Sequence, residues 1–388
     1  MSRPSSLPNS RPSSRISSRS AGLDQELVML LHRTLFGGER DLPESWAKQG
    51  FTFRENGFLC GLRQHAGGAC GVLAVVQAYI LRELALQGGA GRAAISASRE
   101  QAGAALVAAL AQIIWAARVG RLASVVVCKQ PELPPMRQAA EALVKTDCNS
   151  LETVQEAVQA AAGAFIRPHG PGVAMLLYSV LMTRGVAMVG RDADFPSPLI
   201  MINGYCSQEL VNLMTIGRAH SNVFDGEKVV GDPGEGARLR GIPRRSPIGF
   251  LTLFERQGEP GSLVRVGRYL KRPEMPIFVV QSESHYSVLW ADAESRDFSV
   301  DDEVHAEDED EQPPLEPDDT MVECADGEVI ELHYFDQMGE RDSSVRLTLS
   351  RRVGRALGPS TDYVPLENVI LTRWPGAQID WNGEEVIL

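Results

Sequence analysis

The sequence predicts an α+β protein with a helix-rich first half packed on a strand-rich second half. Two patterns carry this. Up to about residue 217, apolar residues recur at three- and four-residue steps in segments closed by glycine, as in Leu27, Leu30, Leu31 and Leu35 before Gly37. From Ile248 onward the apolar runs shorten, fill with β-branched residues and alternate, as in Ile277-Phe278-Val279-Val280. With 388 residues at 44% hydrophobic composition, a large buried core is available.

In order, residues 1–22 are rich in Ser, Arg and Pro and read as a disordered tail, because so little apolar surface cannot offset the entropy of ordering. The lack of acids before Asp24 also fits an organelle transit peptide. One domain is expected over 23–388. Leu23 to Phe36 is a predicted helix stopping at Gly37-Gly38. Residues 40–60 look irregular, with Trp46, Phe51, Phe53 and Phe58 as core. A helix opens near Cys70, with Leu73, Val76, Ile80 and Leu84 on its buried face, and stops near Gly88. Further helices are expected from Ser98 to about Val119, Pro135 to Lys145, after an Asn149/Glu152 capping pair, and from Gly172 to Arg184; Ala123 to Val127 is a short strand. Ser207 reads as the cap of a helix running to Ile216 and stopped by Gly217.

In the second half, strands are expected at Phe250–Phe254, Ile277–Val280 and His285–Trp290, with Ser282-Glu283-Ser284 as the turn between the last two. Val329–Phe335, Ser344–Leu349 and Val369–Arg373 also read as strands, and Trp374 and Trp381 as core. Residues 301–319 hold eleven acidic side chains, no Lys or Arg, and three prolines, so they read as a disordered charged insertion.

The formal charge of −12 is concentrated in that insertion. The remainder is close to neutral, which argues against a nucleic-acid binder. No continuous apolar run approaches a membrane span; the longest lies near Gly172 to Met182. The first residues lack the apolar region of a secretory signal. Six cysteines without a Cys-x-x-Cys pair fit neither a structural zinc site nor a disulfide framework, and point to a reducing, intracellular compartment, in the cytoplasm or nucleus.

The chemistry-bearing stretch is Gly61 to Gln77. A polar loop carries Gln64, Gly67-Gly68 form a turn, and Cys70 follows at the start of the apolar helix. Unpaired N–H groups and the positive dipole end there favour a thiolate, the form that acts as nucleophile. The glycines let backbone approach a substrate. Gln64, six residues before Cys70, is positioned to join the Cys70 N–H as an oxyanion donor. The competing reading is a structural cysteine at a glycine-rich helix start. A phosphate-binding loop would need a Lys-Ser/Thr pair that this turn lacks. A cysteine nucleophile takes its base from a distant segment as a rule. His285, at a strand start beyond a turn, is one candidate; His65, on the flexible loop five residues from Cys70, is the rival. Ser287, Asp292 or a backbone carbonyl are candidates to orient the base.

These stretches resemble the MINDY family of cysteine deubiquitinases, in the branch numbered three and four. The resemblance rests on Gly61-Leu62-Arg63-Gln64, on Gly67-Gly68-Ala69-Cys70-Gly71-Val72-Leu73-Ala74 with Val76-Gln77, and on Pro276–Val280 with Ser282–Ser287. Glu209–Leu213, Ser221–Gly226 and the closing Trp374 and Trp381-Asn382-Gly383 extend it, with gaps, from about residue 24 to the C-terminus. Ala69 stands where the family has proline, and Tyr286 replaces a phenylalanine. The resemblance implies Cys70 as nucleophile, His285 as general base and Gln64 as oxyanion-stabilising residue, on a papain-like cysteine protease architecture. It implies a deubiquitinase cutting isopeptide bonds in lysine-48-linked polyubiquitin, with ubiquitin as partner and no metal or organic cofactor. The alternatives are another Cys-His acyl-transfer enzyme, such as a transglutaminase or peptidase, and a ubiquitin-binding scaffold that no longer catalyses.

Overall fold

A computed structural model describes residues 19–88, 95–231, 236–257, 264–291, 329–350 and 364–386. The first half contains β1 (Arg19–Gly22), α1 (Gln25–Phe36), α2 (Glu44–Ala47), α3 (Cys70–Gly88), α4 (Arg99–Ala116), β2 (Ala123–Cys128), α5 (Met136–Ala142), β3 (Leu143–Cys148), α6 (Leu151–Ala160), α7 (Ala162–Phe165), α8 (Gly172–Arg184), α9 (Val186–Asp192) and α10 (Gln208–Ile216). The second half contains β4 (Glu227–Val230), β5 (Ala237–Arg240), β6 (Gly249–Thr252), α11 (Phe254–Gln257), α12 (Arg268–Lys271), β7 (Ile277–Ser282), β8 (His285–Ala291), β9 (Val329–Phe335), β10 (Val345–Ser350), α13 (Pro365–Ile370) and β11 (Gln378–Asp380). Mixed helices and sheets, helix-rich first, match the α+β expectation.

The organising sheet has six strands in the order β11-β10-β9-β8-β7-β6. Every neighbouring pair is antiparallel except β6 and β7. Alternation along β8 sends Tyr286, Val288 and Trp290 into the main core with the helices. Leu289 enters a second core with Leu366, Val369, Ile370, Trp374 and Trp381. The sheet is thus covered by helices on one face and by the C-terminal segment on the other. α3 runs through the main core, packed on α4, β7, β8 and α10, and is buried almost all round, from Cys70 to Leu84.

Several helix ends follow the expected chemistry. Asp24 caps α1 through Leu27 N–H at 2.7 Å, and Gly37 closes it at φ 71°. Ser98 forms a capping box with Gln101, and α10 runs from its Ser207 cap to Gly217.

Other expectations are corrected. Residues 19–22 are not part of a disordered tail but form β1, paired with β3 through backbone groups that need no apolar side chain. The Pro135–Lys145 helix stops at Ala142, and β-branched Val144 and Thr146 lie in β3. The cap of α6 is Ser150, paired with Thr153, rather than Asn149 with Glu152. Val369–Arg373 is not a strand: Pro365 starts α13, and Leu366, Val369 and Ile370 form its buried stripe. By length and composition α3 is apolar enough to cross a membrane, against the expectation that no apolar run approaches a span; 78% of that window is buried inside the fold. The tail over 1–18, the acidic insertion at 301–319 and Asp292 lie outside the described residues.

Candidate active site

Cys70 is the first residue of α3 and is buried. Its helix start is fixed by three contacts. Leu73 N–H bonds the Ala69 carbonyl at 3.0 Å. Gly68 adopts φ 114°, where a Cβ would stand 2.8 Å from the Trp46 indole nitrogen, so only glycine fits. A Cβ on Gly71 would lie 2.8 Å from Cys206 Sγ, and that sulfur takes hydrogen bonds from the Gly71 and Val72 N–H groups. Cys206 therefore satisfies donors that a helix start leaves unpaired.

The loop carrying Gln64 is tied to the same helix. Gln77, about two turns further along α3, accepts from Leu62 N–H at 2.7 Å and donates to the Cys60 carbonyl at 3.2 Å. Gln64 is itself buried. Its backbone N–H bonds the Gln337 carbonyl at 2.9 Å, and its side-chain Nε2 donates to the Ala66 carbonyl at 2.7 Å. A primary amide has two N–H bonds, so the Ala66 contact commits only one of them.

His285 begins β8, directly after the turn in which Glu283 holds φ 54°. Its ring is hydrogen-bonded on one side to Cys70 and on the other to Asp336. Nε2 lies 2.9 Å from Asp336 Oδ1, which leaves Nδ1 for the sulfur. Burial alone would lower the affinity of this imidazole for a proton. The hydrogen bonds and negative charges of Asp336 and Cys70 outweigh it and raise the pKa to about 10. Burial works against the Asp336 charge too, but the His285 contact and the Met338 and Gly339 N–H groups hold its carboxyl below the ordinary range. An imidazole of raised proton affinity, held between a cysteine sulfur and a carboxylate, is the arrangement a cysteine nucleophile uses.

Asp336 is the functional residue that sequence reasoning missed. It follows β9 immediately, one step past the Val288↔Phe335 pair, and so lies beside the start of β8. Its loop is anchored from the other side of the cleft: buried Arg54 Nη2 donates to the carbonyls of Asp336 at 3.4 Å, Gln337 at 3.2 Å and Gly339. Of the earlier candidates, Ser287 is buried and bonded with Tyr334 instead.

Cys70 and His285 are thus brought together, from the early helix and the late strand. His65 is not part of the pair: its ring is exposed, bonded to Thr52 Oγ1 at 2.8 Å and beside His169. A cleft of about 360 Å³, lined by Gln64, Arg63, Met338, Glu340 and Asp342 among others, opens on the Asp336 side.

Among the described residues no His/Cys/Asp/Glu group has the clustering needed to hold a metal ion.

The family described as deubiquitinating enzyme MINDY-3/4, conserved domain, matches residues 32–307. A mouse protein named probable ubiquitin carboxyl-terminal hydrolase MINDY-4 is 34% identical over 95% of this chain and 48% of its own length. Its Xenopus tropicalis namesake is 35% identical over 94% and 47%. A zebrafish (Danio rerio) ubiquitin carboxyl-terminal hydrolase MINDY-3 is 30% identical over 69% and 65%. The chain spans about half the length of the MINDY-4 relatives it matches. No solved structure matches.

Proposed function

The chain belongs to the MINDY-3/4 family of deubiquitinating enzymes, and we propose that it is a thiol-dependent isopeptidase acting on lysine-48-linked polyubiquitin. The observation that carries the reading is the His285 ring, hydrogen-bonded to Cys70 and to Asp336 at once. In this reading the two halves of the chain meet across the cleft in a papain-like architecture.

Cys70 sulfur attacks the carbonyl carbon of ubiquitin's C-terminal glycine. The carbonyl oxygen takes up negative charge, held by the Cys70 N–H and the second N–H of Gln64 Nε2. The tetrahedral intermediate collapses as the His285 imidazolium gives its proton to the leaving lysine nitrogen. The product is a thioester on Cys70 and a free amine. His285, now neutral, takes a proton from water as that water attacks the thioester. Ubiquitin then leaves with a free carboxylate. Asp336 touches none of the reacting atoms; it orients the ring and stabilises the imidazolium.

Labelling by ubiquitin carrying a C-terminal electrophile tests the reading. Wild type is expected to label, Cys70→Ala to fail and Gln64→Ala to cleave chains roughly 10²–10³-fold more slowly, the cost of losing one oxyanion donor. Labelling that survives in Cys70→Ala removes the nucleophile. A panel of chain linkages, with lysine-48 chains cut no faster than the others, removes the proposed specificity.

A further inference from the structure

Gln64 and Gln337 carry three buried side-chain atoms without a hydrogen-bond partner: Gln64 Oε1, and both Oε1 and Nε2 of Gln337. Gln337 is 0% exposed. A buried amide with no partner destabilises a fold, and an apolar side chain of the same shape would not. Folding alone therefore does not account for a glutamine at this position.

The two residues are in contact. Gln64 N–H donates to the Gln337 carbonyl at 2.9 Å, which puts their Cα atoms about 5–6 Å apart, a span that two glutamine side chains can bridge. The backbone of Gln337 is pinned. Its carbonyl also accepts from Arg54 Nη2 at 3.2 Å, and the next N–H, of Met338, is bound to Asp336 Oδ1 at 2.9 Å. With the backbone held, rotation about the side-chain torsions is what remains. The unpaired atoms are complementary, since an amide nitrogen donates and an amide oxygen accepts. Turned toward each other, Gln337 Nε2 and Gln64 Oε1 pair. Gln337 Oε1 is then left to the Arg54 Nε–H, itself buried and unpaired, in a contact that steadies the loop.

The proposed reaction supplies a moment for this pairing. The Ala66 carbonyl holds one N–H of Gln64 Nε2 at 2.7 Å, and the other faces the oxyanion. As that N–H takes up the developing charge, the Gln64 amide polarises and its Oε1 becomes a stronger acceptor. A donor on Oε1 strengthens the N–H in return. An interaction absent from the free enzyme and made as charge develops speeds the chemical step without tightening substrate binding.

Resting on the deubiquitinase reading, we infer that Gln337 is a positioning residue for the oxyanion donor: its Nε2–H bonds Gln64 Oε1 as the tetrahedral intermediate forms, aiming and polarising the Gln64 amide. Gln337 touches no reacting atom and acts only through Gln64.

The test is Gln337→Met, which keeps the shape and removes the amide, made in wild type and in Gln64→Ala. In wild type, kcat for cleavage of ubiquitin chains is expected to fall about three- to tenfold, the worth of one hydrogen bond, with KM unchanged. In Gln64→Ala the same change is expected to cost nothing further. Alkylation of Cys70 by iodoacetamide, which builds no oxyanion, is expected to keep its rate, and the urea midpoint to stay level or rise. An unchanged kcat overturns the inference, as does a kcat loss of the same size in Gln64→Ala. Slower alkylation overturns it because Gln337 then acts through the thiol and His285. A lower urea midpoint overturns it because the amide then has a partner in the free enzyme. Wild type that alkylates but cleaves no ubiquitin chain overturns the deubiquitinase reading and this inference together.

Discussion

Asp336 Oδ1 and His285 Nε2 stand 2.9 Å apart across the ends of two paired strands, β8 and β9. The contact joins residues separated by 51 positions. It fixes the ring with Nδ1 toward Cys70. It also sets the pH range of the site.

Replacing Asp336 by Asn keeps the shape and removes the charge. The His285 pKa of about 10 lies above its ordinary 6.5, so what this group contributes to stability is complete below 6.5 and lost as pH rises through about 10. Asp336 is depressed from an ordinary 3.8, so its share is present above 3.8 and lost as pH falls through its folded value. In the proposed reaction the rate follows the imidazolium, since the leaving amine needs its proton. Chain cleavage by wild type should therefore decline only as pH approaches about 10. In Asp336→Asn the alkaline limb should move to lower pH, and cleavage at neutral pH should fall by roughly 10²-fold. An alkaline limb in the same place for both proteins would show that Asp336 does not tune His285.

Gly71 and Cys206 should behave as one unit. A Cβ on Gly71 meets Cys206 Sγ at 2.8 Å and Cys206 Cβ at 3.1 Å, on a helix start that has little room to shift. Gly71→Ala should cost about 1–3 kcal/mol, the usual penalty for overpacking. Cys206→Gly alone leaves the Gly71 and Val72 N–H groups unpaired and should also destabilise. Adding it to Gly71→Ala removes the clash, so the double variant should be more stable than the sum of the two losses predicts. Urea unfolding of the four proteins measures the coupling; simple additivity would refute it.

How much of this was legible beforehand differs residue by residue. Cys70 stood out because it opens a helix whose periodicity is plain, whereas His285, at a strand start, was separated from His65 by the family resemblance alone. Asp336 did not stand out, although the strand ending at Phe335 was expected. Its partnership depends on the register of β9 against β8, and residues 292–328 separate the two strands in sequence. Register across such an interval has no local signal. The reading of Val369–Arg373 as a strand failed for a different reason: a short apolar run has no period of its own. The usable cue was Pro365 at the first helical position, with Leu366, Val369 and Ile370 at helical spacing. Cys206 was passed over because its role lies wholly in a contact with another segment.

Arg54 should govern the position of Asp336. Its Nη2 serves three carbonyls of the 336–339 loop, a geometry that a planar guanidinium reaches and an ammonium on a shorter stem does not. Arg54→Lys keeps the charge but should release the loop. Chain cleavage should drop severalfold or more, with the alkaline limb shifted in the same direction as in Asp336→Asn. A rate loss with an unmoved limb would mean that Arg54 acts on stability alone.

Gln77 should be the tie on which the Gln64 loop depends. It is fully buried in α3, and its amide serves two backbone groups of that loop: the Leu62 N–H at 2.7 Å and the Cys60 carbonyl at 3.2 Å. Gln77→Leu keeps the volume and strands both groups in the core. Each buried orphan costs about 1–3 kcal/mol, so a loss of about 2–6 kcal/mol is expected by urea unfolding. Gln77→Glu separates the two roles. As a neutral acid it can accept from Leu62 and donate to Cys60; once ionised it keeps the acceptor, loses the donor and buries a charge. Burial raises the folded-state pKa of such a carboxyl. Its variant should therefore be near wild type in stability at about pH 5 and weaken as pH rises from there, while wild type does not follow that slope. If Gln77→Leu unfolds within about 0.5 kcal/mol of wild type, a value usual for surface substitutions, the amide is not holding the loop.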